Sequence, residues 1–204
     1  MKPNPKEINL QHSSTSIAIA GYRGEVQVVK DALGADDPEL RITALGAALR
    51  LKILDGQMLQ RGLTDPAWAV RRRAAELVPR SGAGEAVELI DSLVSLLDDD
   101  ACAEVAAFAL GELGVSDTRI ASALQRQARH HDDPLCRESA IAALGTLGVG
   151  RSTVIAALDD VATVRRRAVI SLANFSGVAV EAAIRRALDD RDWQVRQAAE
   201  DLLG

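Results

Sequence analysis

DDVATVRRRA, residues 159–168, sets an acidic pair ahead of Val164, an arginine directly after that valine, and an alanine four positions beyond it. The same order returns as DDPELRITA (36–44), DPAWAVRRRA (65–74), DDDACAEVA (98–106), DDPLCRESA (132–140) and DDRDWQVRQAA (189–199), often with Leu-Gly following. The aliphatic slot falls at Leu40, Val70, Cys102, Cys136, Val164 and Val195, so five periods span 155 residues and average 31. That is the length of one helical hairpin, and hairpins repeated at a fixed spacing build a solenoid. A solenoid offers extended surface in place of a deep pocket, so binding is the first functional expectation.

Each repeat reads as two amphipathic helices around the acidic turn. EVQVVKDAL, EAVELIDSLVSLL, IASALQRQA and AVEAAIRRAL carry apolar residues at helical spacing before it. After it, Asp37-Pro38, Asp65-Pro66 and Asp133-Pro134 each offer a capping acid and a proline at the first helical position. Gly46, Gly111 and Gly145 mark or approach the ends of second helices, with the first of these helices continuing to about Leu51. The expected class is all-α, with repeats near 23–51, 53–80, 84–114, 116–148, 150–175 and 177–204 inside one domain over 13–204. SSTSIAIAG, ending at Gly21, reads as a half-repeat that caps the array. Residues 1–12, with two prolines and a polar run, read as a flexible extension. The final hairpin carries no cap of its own, which raises association through that end as one reading.

Composition narrows the function. The chain of 204 residues has only two Trp, one Tyr and two Phe, so its core must be built from small aliphatic side chains. A net charge of −5 gives no general attraction to phosphate backbones or anionic membranes, and nucleic acid is disfavoured as a partner. Neither a signal-peptide core nor a membrane span is visible, so the expected location is cytoplasmic. Cys102 and Cys136 occupy the same slot in adjacent repeats, about 8–10 Å apart on stacked helices, beyond disulfide reach. Both read as buried and inert.

The acidic turn, aliphatic-Arg pair, alanine and Leu-Gly resemble the HEAT-like repeats first recognised in phycobilisome lyases and widespread in bacterial proteins; the match covers about residues 25–204. The resemblance implies a right-handed α-solenoid superhelix of about six such hairpins. It implies that Arg41, Arg71, Arg137, Arg165 and Arg196 form a ladder with acidic turn residues, interrupted at Ala103. It also places the second helices on a concave face, at positions two and one before the aliphatic slot and two, three, six and ten after it. On this chain those positions include Trp68, Arg72, Arg73, Glu76 and Arg80, then Glu104, Phe108 and Glu112, then Glu138 and Ser139. They continue with Arg166, Arg167, Ile170 and Asn174, then Trp193, Gln194, Gln197 and Asp201. The face is banded: basic, acidic with an aromatic, then basic. Trp68 and Trp193 share one slot, and Trp and Arg are the residues in which binding energy concentrates. The expected function is a non-catalytic, protein-binding scaffold that holds a protein or peptide in the groove, with no cofactor and a monomeric state.

Enzymatic readings find less support. Only His12, His130 and His131 are available as imidazoles, and HHDD (130–133) would need further ligands to hold a metal. The His-Glu pairs of HEAT-like deoxyhypusine hydroxylases are absent. A DNA-glycosylase-like reading meets glutamates across the basic path, and a bilin-lyase-like one rests on the repeat family alone. No glycine-rich phosphate loop and no activated Ser or Cys is evident.

Overall fold

The computed structural model describes residues 13–82 and 87–204. The extension expected over residues 1–12 and the start expected for the third repeat at residue 84 lie outside the described residues. These residues form helices joined by short turns, with no strand among them. They divide into two compact units, Met1–Leu93 and Val94–Gly204.

The first unit contains α1 (Ser14–Arg23), α2 (Val26–Ala32), α3 (Pro38–Arg50), α4 (Gly56–Leu63), α5 (Trp68–Ser81) and most of α6 (Val87–Leu96). Ser13 caps α1 by accepting the Ser16 N–H, and Gly24 ends it in the left-handed region. The helix expected to close at Gly21 therefore runs two residues further. It packs on α3 at close range, since a Cβ on Gly21 would stand 2.9 Å from the Ala47 Cβ. Asp37 caps α3 through the Glu39 N–H, as its Asp-Pro pair predicts.

Asp65-Pro66 behaves differently from the sequence expectation. The N-cap of α5 is Ala67, and the helix starts at Trp68. Asp65 lies five residues before its aliphatic slot, whereas Asp37 and Asp133 lie three before theirs. The longer spacer moves the helix start away from the acid and leaves its carboxylate for another task.

The second unit contains α7 (Ala103–Leu113), α8 (Thr118–His130), α9 (Pro134–Leu147), α10 (Arg151–Ala156) with a 3-10 turn at Ala157–Asp159, α11 (Ala162–Leu172), α12 (Val178–Ala187) and α13 (Trp193–Leu203). Here α7 packs on α9, α9 on α11 and α11 on α13. Small residues permit the approach. A Cβ on Gly111 would lie 3.0 Å from the Ala143 Cα, and one on Gly145 would lie 2.6 Å from the Ser171 Cβ. The Ser171 hydroxyl donates to the Ile141 carbonyl at 3.2 Å, tying α11 to α9. The glycine of Leu-Gly is thus a packing residue inside the helix. The helix stops are Gly114 and Gly148, with φ of +65° and +64°, three residues past the Leu-Gly glycines that approach them.

The core is mainly Ala, Leu, Val and Ile, and none of the aromatics is buried. Cys102 and Cys136 are buried and free. Burial pushes the Cys136 thiol up to about 11, helped by the nearby charges of Asp133, Glu104 and Asp100.

Arginines link successive turns. Arg41 grips Asp65 with Nε and Nη2 at 2.8 and 2.7 Å, while its Nη1 donates to the carbonyls of Ala35 and Asp36. Arg137 repeats this with Asp160 and the carbonyls of His131 and Asp132. Arg165 repeats it with Asp190 and the Asp160 carbonyl. Arg71 donates to the carbonyls of Asp65 and Pro66, and Arg196 to those of Asp190 and Arg191. The Arg137 and Arg165 hydrogen bonds hold Asp160 and Asp190 below the ordinary carboxylate range. For Asp65, burial is the largest single effect and acts upward. The Arg41 and Ala67 hydrogen bonds and the charges of Arg41 and Arg71 together carry it below. Ala103 stands in the third arginine position, and buried Gln127 of α8 donates its Nε2 to the carbonyls of Ala103 and Cys136, both at 3.2 Å.

Candidate functional site

In the first unit the residues expected on the second-helix face gather in a shallow cleft of about 470 Å³ between α1, α3 and α5. Trp68, at the first position of α5, is 55% exposed. Arg72, Arg73 and Glu76 follow it along the same helix, with Glu76 3.8 Å from the Arg72 Nε and 2.9 Å from the Arg73 Nη1. Gly46 of α3 makes room for this arrangement, because the Arg73 Nη2 lies 3.1 Å from where a Cβ would stand. Ile42, Thr43, Gly46 and Arg50 complete the α3 wall. They stand two, three, six and ten residues after Leu40, the register that selects Arg72, Arg73, Glu76 and Arg80 after Val70. Arg80 itself is exposed but does not line the cleft.

Arg50 and Tyr22 were not among the expected site residues. The Arg50 guanidinium lies 4.0 Å from the Tyr22 ring centroid, and Tyr22 is 76% exposed. Arg50 was within reach of the register rule applied to the first repeat. Tyr22 was not, because it belongs to the half-repeat that lacks the acidic turn from which the register is counted.

In the second unit Phe108 of α7 is 56% exposed, and Glu112 is exposed on the next turn. Glu104 and Ser139 are half-buried. Glu138 of α9 takes Arg167 of α11 at 3.3 Å. Glu138 of the expected acidic band and Arg167 of the basic band therefore pair with each other here, because α9 and α11 stack with those positions facing. Arg166 is exposed and has no carboxylate partner among the described residues. Ile170 is exposed, and Asn174 lies beyond the end of α11. Trp193 is 65% exposed at the first position of α13, matching Trp68 on α5. Gln197 donates to Asp201 along the same helix at 2.9 Å, and Gln194 is exposed.

The histidine turn is more closed than an exposed helix end. The His131 side chain is 12% exposed, its Nδ1 accepts the Asp133 N–H at 3.1 Å, and its Nε2 lies 3.6 Å from Asp100. Among the described residues no group of three or more His, Cys, Asp or Glu side chains is arranged to hold a metal ion. No described helix is long and apolar enough to cross a membrane.

Stacked helical hairpins, a turn-to-turn arginine ladder and exposed second-helix faces define the class: an all-α solenoid of the HEAT-like and armadillo type. No protein-family model and no curated protein sequence matches the chain. Among solved structures, it is similar to the complex of CpcE and CpcF of phycocyanin lyase from Nostoc sp. PCC7120, with a TM-score of 0.61 and 20% identity over 87% of this chain and 75% of that one. It is similar to a designed armadillo repeat protein in complex with the peptide (KR)4, with a TM-score of 0.63 and 16% identity over 87% and 97% of the two chains. An engineered protein matches with a TM-score of 0.63 and 19% identity over 87% and 96%. At these identities the likeness is one of fold.

Proposed function

We propose that the chain is a non-catalytic scaffold that binds a protein or peptide on the exposed face of its second helices. The observation that carries this reading is the cleft of the first unit, where a half-exposed Trp68 stands beside Arg72, Arg73 and the Arg50–Tyr22 stack. A large aromatic at the open start of a helix, next to guanidinium groups, supplies apolar contact and charge-assisted hydrogen bonds together. Trp193 offers the same first-position indole in the second unit, with Phe108 as a further exposed aromatic. The neighbour solved with (KR)4 lends support that such a scaffold can hold an extended peptide, and the CpcE and CpcF complex that it can pair with another chain.

The partner's chemistry follows from the side chains. Three guanidinium groups, Arg50, Arg72 and Arg73, line the cleft, so it favours an acidic or carbonyl-rich segment carrying one apolar anchor. The test is alanine substitution of Trp68, alone and with Arg72→Glu, in a chain whose helicity and melting are unchanged. Partner affinity is expected to fall at least about tenfold for the single change. Unchanged affinity in both variants would remove the reading.

A further inference from the structure

Repetition shows what belongs at the third rung. At each full rung, the arginine's Nη1 meets carbonyls five or six residues earlier, and its Nε and Nη2 meet an aspartate of the next turn. The aspartates Asp65, Asp160 and Asp190 also offer their own carbonyls to the next arginine of the series. Counting back from Ala103, the carbonyl positions are Leu97 and Asp98. The residue whose carbonyl meets the next arginine, Arg137, is His131. His131 stands where the other turns hold an aspartate and keeps that aspartate's local role. Its Nδ1 takes the Asp133 N–H as Asp65 takes the Ala67 N–H and Asp190 the Asp192 N–H.

Both ends of the rung are thus replaced, and the space remains. A cleft of about 550 Å³ is lined by Leu97, Asp98 and His131, together with Gln127, Asp100 and Asp132. It is lined by residues from both ends of the absent rung. Its charge suits a cation: Asp98, Asp100, Asp132 and Asp133 surround it, against Arg126, which pairs with Asp98 at 2.8 Å. The Asp100 side chain is 99% exposed and stands at the rim, 3.6 Å from the His131 Nε2. Gln127, 4% exposed, forms part of the wall, and its Oε1 is a buried acceptor with no hydrogen-bond partner among the described residues.

We propose that this cleft binds the guanidinium of an arginine side chain from a partner protein, completing the ladder in trans. The arginines of the neighbouring rungs show the binding geometry within the same chain: one edge of the fork on backbone carbonyls, the other on turn carboxylates. Lysine, a point donor without a planar fork, satisfies only one edge. The proposal does not depend on the second-helix face.

The probe is N-acetyl-arginine amide titrated into the full chain, followed by the His131 ring and Gln127 side-chain amide resonances, with the uncharged isostere N-acetyl-citrulline amide as control. A saturable shift with arginine, at least about tenfold weaker with citrulline, is expected. Asp100→Asn with Asp132→Asn, both exposed changes, should weaken arginine binding by about tenfold without altering the melt. Ala103→Arg with His131→Asp should supply the rung internally and abolish the shift. Equal binding of citrulline, or undiminished arginine binding in either folded variant, would overturn the proposal; if the internal-rung variant does not fold, the double Asn variant decides. Movement of the same resonances on concentrating the chain alone would make a second copy the source and overturn the assignment to a different protein.

Discussion

At a full rung the two partners are nearly out of water, with the Arg165 and Asp190 side chains 5% and 14% exposed. Removing one partner leaves the other's charge half-buried and unmatched, which costs about 3 kcal/mol. Arg165→Ala should therefore lower the unfolding free energy by that amount at neutral pH, read as a lower urea midpoint, while Arg166→Ala, one residue along and exposed, should leave the midpoint unchanged. The same rungs impose a pH dependence. The folded values of Asp65, Asp160 and Asp190 are depressed below the unfolded value of about 3.9. Their contribution is complete above that value and is lost as the pH falls through the lower folded ones. Urea midpoints measured from about pH 6 to about pH 3 should fall, and Asp160→Asn should fall less steeply from a lower start. Cys102 and Cys136, at 0% and 2% exposure, should resist iodoacetamide until the chain unfolds; modification of the native protein would contradict that burial. Arg41, Arg137 and Arg165 were legible in the sequence because the aliphatic-Arg pair recurs in five of the six repeats. The pairing of Arg167 with Glu138 was not, since it depends on how two stacked helices are rotated, which no single repeat encodes.

Helices come close enough to touch backbone to backbone where a glycine or serine replaces a larger residue. Gly145→Ala would set a Cβ 2.6 Å from the Ser171 Cβ. Overpacking of that kind costs about 2 kcal/mol, of which alanine's better helix propensity returns up to about 1 kcal/mol. A net loss of about 1 kcal/mol is expected, relieved in part by Ser171→Gly. Gly56→Ala, with nothing within 4 Å, should show no such loss; matching effects at the two sites would mean that α9 and α11 do not pack this closely. Helix existence and spacing were legible from the hydrophobic period and the capping acids. Termini were less so at the N-terminal side, whereas Gly111 and Gly145 do approach the stops that Gly114 and Gly148 make three residues later. The start of α5 shifted for a local reason, the longer spacer after Asp65.

For the molecule as a whole, a 31-residue period and a core of small aliphatic side chains point to one fold class, and the solved structures of similar fold agree with it. A period says which positions are equivalent, and the cleft of the first unit is lined by such equivalent positions on α3 and α5. It says little about positions outside the repeat, such as Tyr22. It also cannot distinguish a basic band that is free from one already paired. The binding face is the central claim, and it is tested most directly by purifying the chain with its bound proteins from its source cells, in parallel with a folded Trp68→Ala, Arg72→Glu variant, and remeasuring the affinity of any differing protein with purified components. A protein held by the wild type and bound at least about tenfold more weakly by the variant is the predicted result. Equal affinity of both forms for every recovered protein would contradict the assignment of binding to the second-helix face.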